Sequence, residues 1–303
     1  MTALSKCKSH SSGSDDIPYI FLQNLPISGY HILLDIYNMI FSPSGYLPSV
    51  WKHAITIPIP KPDKNKFETN GYRPISLLNT MCKVLEKIID TRLRWFLEKS
   101  NYLSPHQHGF RQHRSTFNCL HDIQTEIYES FKRGHVLSLV SLDIAKAYDT
   151  TWRPHILHKL QNIICNGKML NFIDSFLTNR TFSVKVNGHI SPQFQQENGV
   201  PQGSTLSVTL FLIAINSITE AIKFPIKCTL FADDFNIFSS GKNPLSTQIY
   251  LQETINSLHD WSCKTGFTFS AEKSLCISFS KKKKIPANIR LTIGDIAIQN
   301  KNL

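Results

Sequence analysis

Close cysteine pairs are missing from this 303-residue chain. Its seven cysteines, at 7, 82, 119, 165, 228, 263 and 276, never fall within four residues of one another. That excludes a zinc site built on a Cys pair, and an odd, scattered set fits reduced thiols inside a cell. Long apolar runs are missing too: none reaches the roughly 18 residues of a membrane-spanning helix. The opening "MTALSKCKSHSSGSDD" has no apolar leader core, so an intracellular protein with no membrane partner is expected. There is no internal repeat and no low-complexity linker, which excludes a solenoid array. Acidic residues are scarce, 22 against 33 Lys and Arg, giving a net charge of +11 and a pI near 9.3. Such an excess favours a polyanionic partner, and composition alone leaves nucleic acid and an acidic membrane surface both open. Apolar residues at 41% and charged residues at 18% exclude a disordered chain.

What is present reads as helices alternating with short strands. "YHILLDIYNMIF" predicts a helix with Ile32, Leu33, Ile36, Met39 and Ile40 on one side, and "AITIPIPKP" a short strand. "SLLNTMCKVLEKIIDTRLRWFLEKS" carries the clearest helical stripe. Further helices are expected over 116–132, 155–178 with a break near Gly167, 205–223 and 245–262. Strand 136–143 and a hairpin turning at Asn187-Gly188 lie among them, and two strand pairs, 266–280 and 289–299, follow. "KKKK" at 281–284 is the one charge block, read as a solvated loop. The pattern gives an α+β fold with a mostly antiparallel sheet.

Three places could carry chemistry. In "TLFADDFNIFSS" the apolar arms flank two adjacent carboxylates, Asp233 and Asp234, at the spacing of a two-residue hairpin turn. Asp-Asp suits such a turn poorly and sets like charges together, so the break in local rules marks either a functional site or a solvated turn. A divalent cation would relieve the repulsion. In "HVLSLVSLDIAKAYDTTW" a buried strand ends at Asp143, which needs a partner, a metal or a helix-capping role; Asp149 fits the start of a helix better. "ENGVPQGSTLSVTLFLIAIN" sets Gly199 and Gly203 before an apolar helix capped by Ser204, either an ordinary turn or a place where a ligand approaches backbone.

Taken together, "LDIAKAYD", "GVPQGS" and "FADD" resemble, in order, the A, B and C motifs of reverse transcriptases. "IPIPKPDK", "YRPISLLNTMCKVLEKII", "RLRWFLE", "HQHGFRQHRST", "LQETINSLHDW" and "TGFTFSAEKSLCISFS" extend the resemblance to non-LTR (LINE-type, Jockey-like) retrotransposon polymerases, from about Asp16 onward. The resemblance implies a right-hand polymerase fold. A helical extension over 1–49 would precede fingers at about 50–135, a palm at about 136–280 and a C-terminal hairpin over 281–303. It implies an RNA-directed DNA polymerase that adds dNTPs to the 3′-OH of a DNA primer on an RNA template. Two Mg²⁺ or Mn²⁺ ions, about 3.5–4 Å apart, would serve that phosphoryl transfer. Asp143 and Asp233 would hold them, with Asp234 close by and the Ile144 carbonyl as a further ligand.

Other roles follow position by position from the same resemblance. Tyr148 matches a steric gate against the ribose 2′-OH, and Gln202 and Gly203 match a pair beside nucleotide and template. Arg73 and Lys61 match residues that grip the triphosphate. Lys273 matches a lysine proposed to protonate the leaving pyrophosphate; the alternative is a lysine in an exposed hairpin turn. Phe231 stands where many relatives have Tyr, Val208 where they have Pro and Ser217 where they have Asp. The chain stops where relatives continue toward a thumb, with neither an endonuclease domain before residue 16 nor a zinc knuckle after. A fragment of a retrotransposon polyprotein is therefore expected, nuclear by resemblance. A catalytically inactive remnant that at most binds nucleic acid is the alternative. An RNA-dependent RNA polymerase or a maturase fits "YRPISL" and "GFR" less well.

Overall fold

The computed structural model describes residues 2–5, 11–62, 64–164, 167–281 and 289–302. Four helices open the chain: α1 (Thr2–Ser5), α2 (Tyr19–Gln23), α3 (Ile27–Ile40) and α4 (Ser49–Lys52). Strands β1 (His53–Pro60) and β2 (Tyr72–Leu77) follow, then helices α5 (Thr80–Lys99) and α6 (Thr116–Lys132). Strand β3 (Val136–Ile144) leads into α7 (Ala147–Thr150), α8 (Arg153–Ile164) and α9 (Lys168–Leu177). Next come β4 (Thr181–Val186), β5 (His189–Ile190), β6 (Phe194–Gln195) and α10 (Thr205–Ile215). The hairpin of β7 (Lys227–Phe231) and β8 (Asp234–Gly241) precedes α11 (Pro244–Thr265) and β9 (Phe269–Phe279). Short strands β10 (Thr292–Ile293), β11 (Ile296–Ala297) and β12 (Gln299–Asn302) close it. No described helix is long and apolar enough to cross a membrane.

The chain divides into two compact units, each assembled from two stretches. The first unit takes residues 1–100 and 153–213. Its sheet runs β2-β1-β4-β5, with β6 also on β4; β1 pairs antiparallel with β2 and parallel with β4. Asn79 caps α5 by accepting the Cys82 N–H at 3.2 Å, which satisfies one of the helix's orphan donors. The α5 stripe of Leu85, Ile89, Leu93 and Leu97 is buried as its spacing predicts. The same helix also buries two acids. Glu86 accepts the hydroxyl of Ser204 and the Cys82 thiol at 3.4 Å; Asp90 accepts the Thr209 hydroxyl and Arg94 Nε at 2.7 Å. Fully buried Arg180 donates to the Phe176 carbonyl at 3.0 Å and lies over its ring. In α3 the expected stripe is corrected. Leu33, Tyr37 and Ile40 are buried, whereas Ile32 is 61% and Met39 72% exposed, because the row 33–37–40, spaced i, i+4, i+7, is the one that packs.

The second unit takes residues 101–152 and 214–303, around a sheet ordered β12-β9-β3-β8-β7. Its pairs are antiparallel except β12 with β9. One face, with Leu137, Leu139 and Phe238, is covered by Ile123 and Ile127 of α6. A reciprocal Ser115–Asn118 capping box starts α6. Pro244 in the first turn and Gly266 at φ 81 punctuate α11 at its two ends. Two expectations are corrected. Within residues 266–280 there is one long strand, β9, rather than a strand pair, because β3 and β12 occupy its two edges. The helix expected over 205–223 ends at Ile215 and tightens into a 3-10 segment, Asn216–Ala221. Of "KKKK", residues 282–284 lie outside the described residues.

Burial pushes the Glu86 carboxyl above its usual range, against the opposing effect of Ser204 and Arg180. The folded state therefore holds that proton more tightly than the unfolded chain, whose glutamate titrates at about 4.3. Its stabilising contribution is complete below that value and is lost as pH rises through the raised one. Glu86→Gln keeps an acceptor for Ser204 and removes this titration. Urea midpoints at about pH 5 and about pH 8 should then differ less in Glu86→Gln than in the wild type.

Candidate active site

Strand pairing assembles the carboxylates of the second unit. Leu142 of β3 stands opposite Phe235 of β8, so one residue further along each strand Asp143 comes beside Asp234. Cross-strand neighbours share a face, which puts these two carboxylates on the same side of the sheet. Phe231 pairs with Asp234, so the hairpin turn is Ala232-Asp233. The sequence had suggested Asp233-Asp234 as the turn pair, and the structure moves it by one residue. The consequence is chemical: Asp233 occupies the half-buried turn, while Asp234 begins β8 alongside Asp143.

The shifted turn asks an alanine to take a left-handed conformation. Ala232 has φ 58, a geometry that costs a non-glycine residue about 1–2 kcal/mol. Both of its backbone polar groups are bonded to one side chain. Gln107 Oε1 accepts the Ala232 N–H at 3.0 Å, and Gln107 Nε2 donates to the Ala232 carbonyl at 3.3 Å.

Asp143 is held from the other side by β9. Its N–H donates to Ser274 Oγ at 3.1 Å, and that hydroxyl donates to the Ser270 carbonyl at 2.7 Å. Ser141 faces Leu275 but Asp143 faces Ser270, so residues 271–274 bulge out opposite Leu142. Lys273 rides on this bulge, with Nζ 3.5 Å from Asp143 Oδ2, and so does not sit in an exposed hairpin turn. That carboxylate oxygen is buried and has no hydrogen-bond partner.

The electrostatics follow from crowding. Burial raises the Asp233 carboxyl above its usual range, and the charges of Asp234 and Asp143 raise it further. Burial and then Asp143 do the same to Asp234. Among the described residues no three His, Cys, Asp or Glu side chains already converge on one metal-sized point. A hard cation such as Mg²⁺ needs only one or two protein carboxylates, since waters and substrate phosphates complete its shell. An all-oxygen set with mutual repulsion, and an Asp143 oxygen that Lys273 approaches without a hydrogen bond, fits such an ion.

The remaining expected residues fall in both units. Ile144 pairs with Phe269 and is 4% exposed. Tyr148 lies half-buried in the single turn α7, five residues past Asp143, and Phe231 is the half-buried end of β7. In the first unit Arg73 is exposed on β2, opposite Ile59. Lys61 Nζ donates to the Asn70 carbonyl at 3.0 Å. The Gln202 carbonyl accepts the Ser76 N–H at 2.7 Å, and Gly203 sits at φ 130, where a Cβ would come 2.4 Å from the Ser76 carbonyl oxygen. The structure therefore brings together Asp143, Ile144, Tyr148, Phe231, Asp233, Asp234 and Lys273 in one unit. Lys61, Arg73, Gln202 and Gly203 belong to the other.

Of the departures noted in sequence, Ser217 accepts the Trp261 indole N–H at 3.0 Å, a local role that needs no carboxylate. Gln107, Ser274 and Glu86 were missed as supports of these elements. Their only signal was a polar side chain that the fold buries, which a sequence does not mark.

The chain matches the family model described as "Reverse transcriptase (RNA-dependent DNA polymerase)" over residues 59–287. It is 29% identical over 276 residues to the RNA-directed DNA polymerase from mobile element jockey of Drosophila melanogaster, covering 89% of this chain and 30% of that protein. It is 27% identical over 294 residues to the probable RNA-directed DNA polymerase from transposon BS of the same fly, covering 95% and 32%. The chain thus spans about a third of the length of these curated relatives. Apo telomerase from Candida tropicalis aligns over 91% of this chain and 52% of its own, at 15% identity and a TM-score of 0.57. That likeness carries the fold, the right-hand polymerase fold that the sequence motifs implied.

Gly203→Ala should be destabilising, since the added Cβ meets backbone and a left-handed φ together. A loss of about 1–3 kcal/mol in urea unfolding is expected.

Proposed function

We propose that this chain, which belongs to the reverse transcriptase family, is an RNA-directed DNA polymerase segment that extends a DNA primer on an RNA template. The observation that carries the reading is the β3–β8 register, which sets Asp143 beside Asp234 one residue from Asp233. Relatives named as RNA-directed DNA polymerases from mobile elements support it.

In this reading Asp143 and Asp233 would hold two divalent cations, Mg²⁺ or Mn²⁺, with Asp234 and the Ile144 carbonyl as further candidate ligands. When bound, such ions acidify the primer 3′-OH and neutralise charge on the transferring phosphoryl group. The protein's own side chains do the rest. Tyr148 packs against the incoming sugar where a ribose would carry its 2′-OH, which selects dNTPs. Arg73 offers a planar fork of donors suited to triphosphate oxygens, with Lys61 as a second cation. Gln202 and Gly203 present a turn to the nucleotide and template. Lys273, already beside Asp143, is the proton donor for the leaving pyrophosphate. The +11 charge holds template–primer phosphates, so binding should weaken steeply with salt.

Primer extension on oligo(dT)-primed poly(rA) tests the reading. Wild type with Mg²⁺ or Mn²⁺ should extend the primer, and Asp143→Asn or Asp233→Asn should fall to background while remaining folded. A folded wild type that binds template–primer without extending it would replace polymerase with a nucleic-acid-binding remnant. Tyr148→Ala should lower discrimination against rNTPs by about tenfold or more, read from the ratio of kcat/KM for dNTP and rNTP.

A further inference from the structure

The clamp on Ala232 is the least expected feature near the carboxylates. Gln107 is 1% exposed, and its Oε1 accepts two backbone donors, Ala232 at 3.0 Å and Gly109 at 2.7 Å. Its Nε2 donates to the Ala232 carbonyl. Residues 106–108 themselves pair alongside β7: Leu230 N–H donates to the His106 carbonyl at 2.9 Å, and His108 N–H to the Leu230 carbonyl at 2.7 Å. The loop thus serves as an extra edge strand, and the Gln107 amide, shaped like a peptide group, continues that ladder two residues further to the turn. Gly109 makes the approach possible, because a Cβ there would lie 2.2 Å from the Ala232 nitrogen. The platform is braced on itself. Arg111 donates to the carbonyls of Ser104 and Gln107, and Arg114 donates to the Gln107 carbonyl as well.

The Ala232 carbonyl belongs to the same peptide unit as the Asp233 N–H. Holding that carbonyl and the preceding N–H fixes the plane from which Asp233 departs. A left-handed alanine persists only where its surroundings over-determine it. We propose that Gln107 is a positioning residue: it locks Ala232 so that Asp233 is presented, with Asp143 and Asp234, as a preformed divalent-cation site. The inference rests on the polymerase reading. Outer-shell partners of this kind typically contribute about 10–100-fold to metal affinity or activity.

Gln252 supplies a matched control. It clamps the backbone of Thr292 in the same way, with Oε1 accepting the Thr292 N–H at 2.9 Å and Nε2 donating to its carbonyl at 3.0 Å, on β10 of the separate β10-β11 sheet rather than on the carboxylate hairpin. Mn²⁺ binding would be followed by electron paramagnetic resonance, amide exchange at Ala232 by NMR, and kcat and KM by primer extension. Gln107→Met should speed exchange at Ala232 and weaken Mn²⁺ binding about 10–100-fold. It should lower kcat to match, with KM for dNTP little changed, whereas Gln252→Met should leave Mn²⁺ affinity and kcat at wild-type values. Gln107→Leu, which removes both the acceptor and the donor without adding charge, should act in the same direction and serves if the methionine variant does not fold. Wild-type Mn²⁺ binding that depends on Asp233 but is unaltered in the Gln107 variants overturns the inference alone. So does a loss of stability shared alike by the Gln107 and Gln252 variants with Mn²⁺ affinity unchanged. Wild type with no Asp233-dependent Mn²⁺ binding overturns the polymerase reading, and this inference with it.

Discussion

Carboxylates do not gather unaided. Asp143 and Asp234 arrive side by side because two antiparallel strands, apolar for most of their length, pair in one register, and a slip of one residue would send each side chain to the opposite face. Leu137, Leu139 and Phe238, packed under α6, fix that register through burial that the charged end could not provide. The cost of burying these carboxyls, and after it of bringing like charges together, is visible in the raised carboxyls of Asp233 and Asp234. It is borne by the apolar ladder behind them, and a bound cation would remove much of it.

The supports on either side of this pair are polar and local. β9 bulges opposite Leu142, which brings Ser274 to the Asp143 amide and Lys273 to its carboxylate. On the far edge, the loop through Gln107 pairs with β7 and reaches the turn. The first unit uses a comparable device. Glu86 of α5 accepts the Ser204 hydroxyl, which in turn caps α10 at the Ser207 N–H, and the Ser76 amide holds the Gln202 carbonyl. In both units a glycine allows backbone to meet backbone: Gly109 against Ala232 and Gly203 against Ser76. Buried polar groups are costly unless fully satisfied, so such contacts specify one arrangement of each turn rather than many.

Much of this was legible beforehand because it is written locally. The α5 stripe, the Asn187-Gly188 turn and the strand ending at Asp143 depend on periodicity and turn chemistry within a dozen residues. The motif strings around Asp143, Gln202 and Asp233 were legible as a family pattern, and with them the fold. Less legible was α3, where several apolar rows competed and only contact with the rest of its unit chose 33–37–40. Residues 266–280 looked like two strands because nothing in them announces that one long strand will be paired on both edges.

The sequence by itself determined most of the helices and strands and the family, and it singled out the three aspartates as candidates, since each is carried by residue type and short spacing. Tertiary structure decided what depends on partners far away in the chain. It moved the hairpin turn to Ala232-Asp233, placed Lys273 on a bulge and set a glutamine 125 residues away against the turn backbone. It also built each unit from two separate stretches of chain. Hydrogen bonds and register across such separations are settled by the whole ladder and its packing, and no local window of residues contains them.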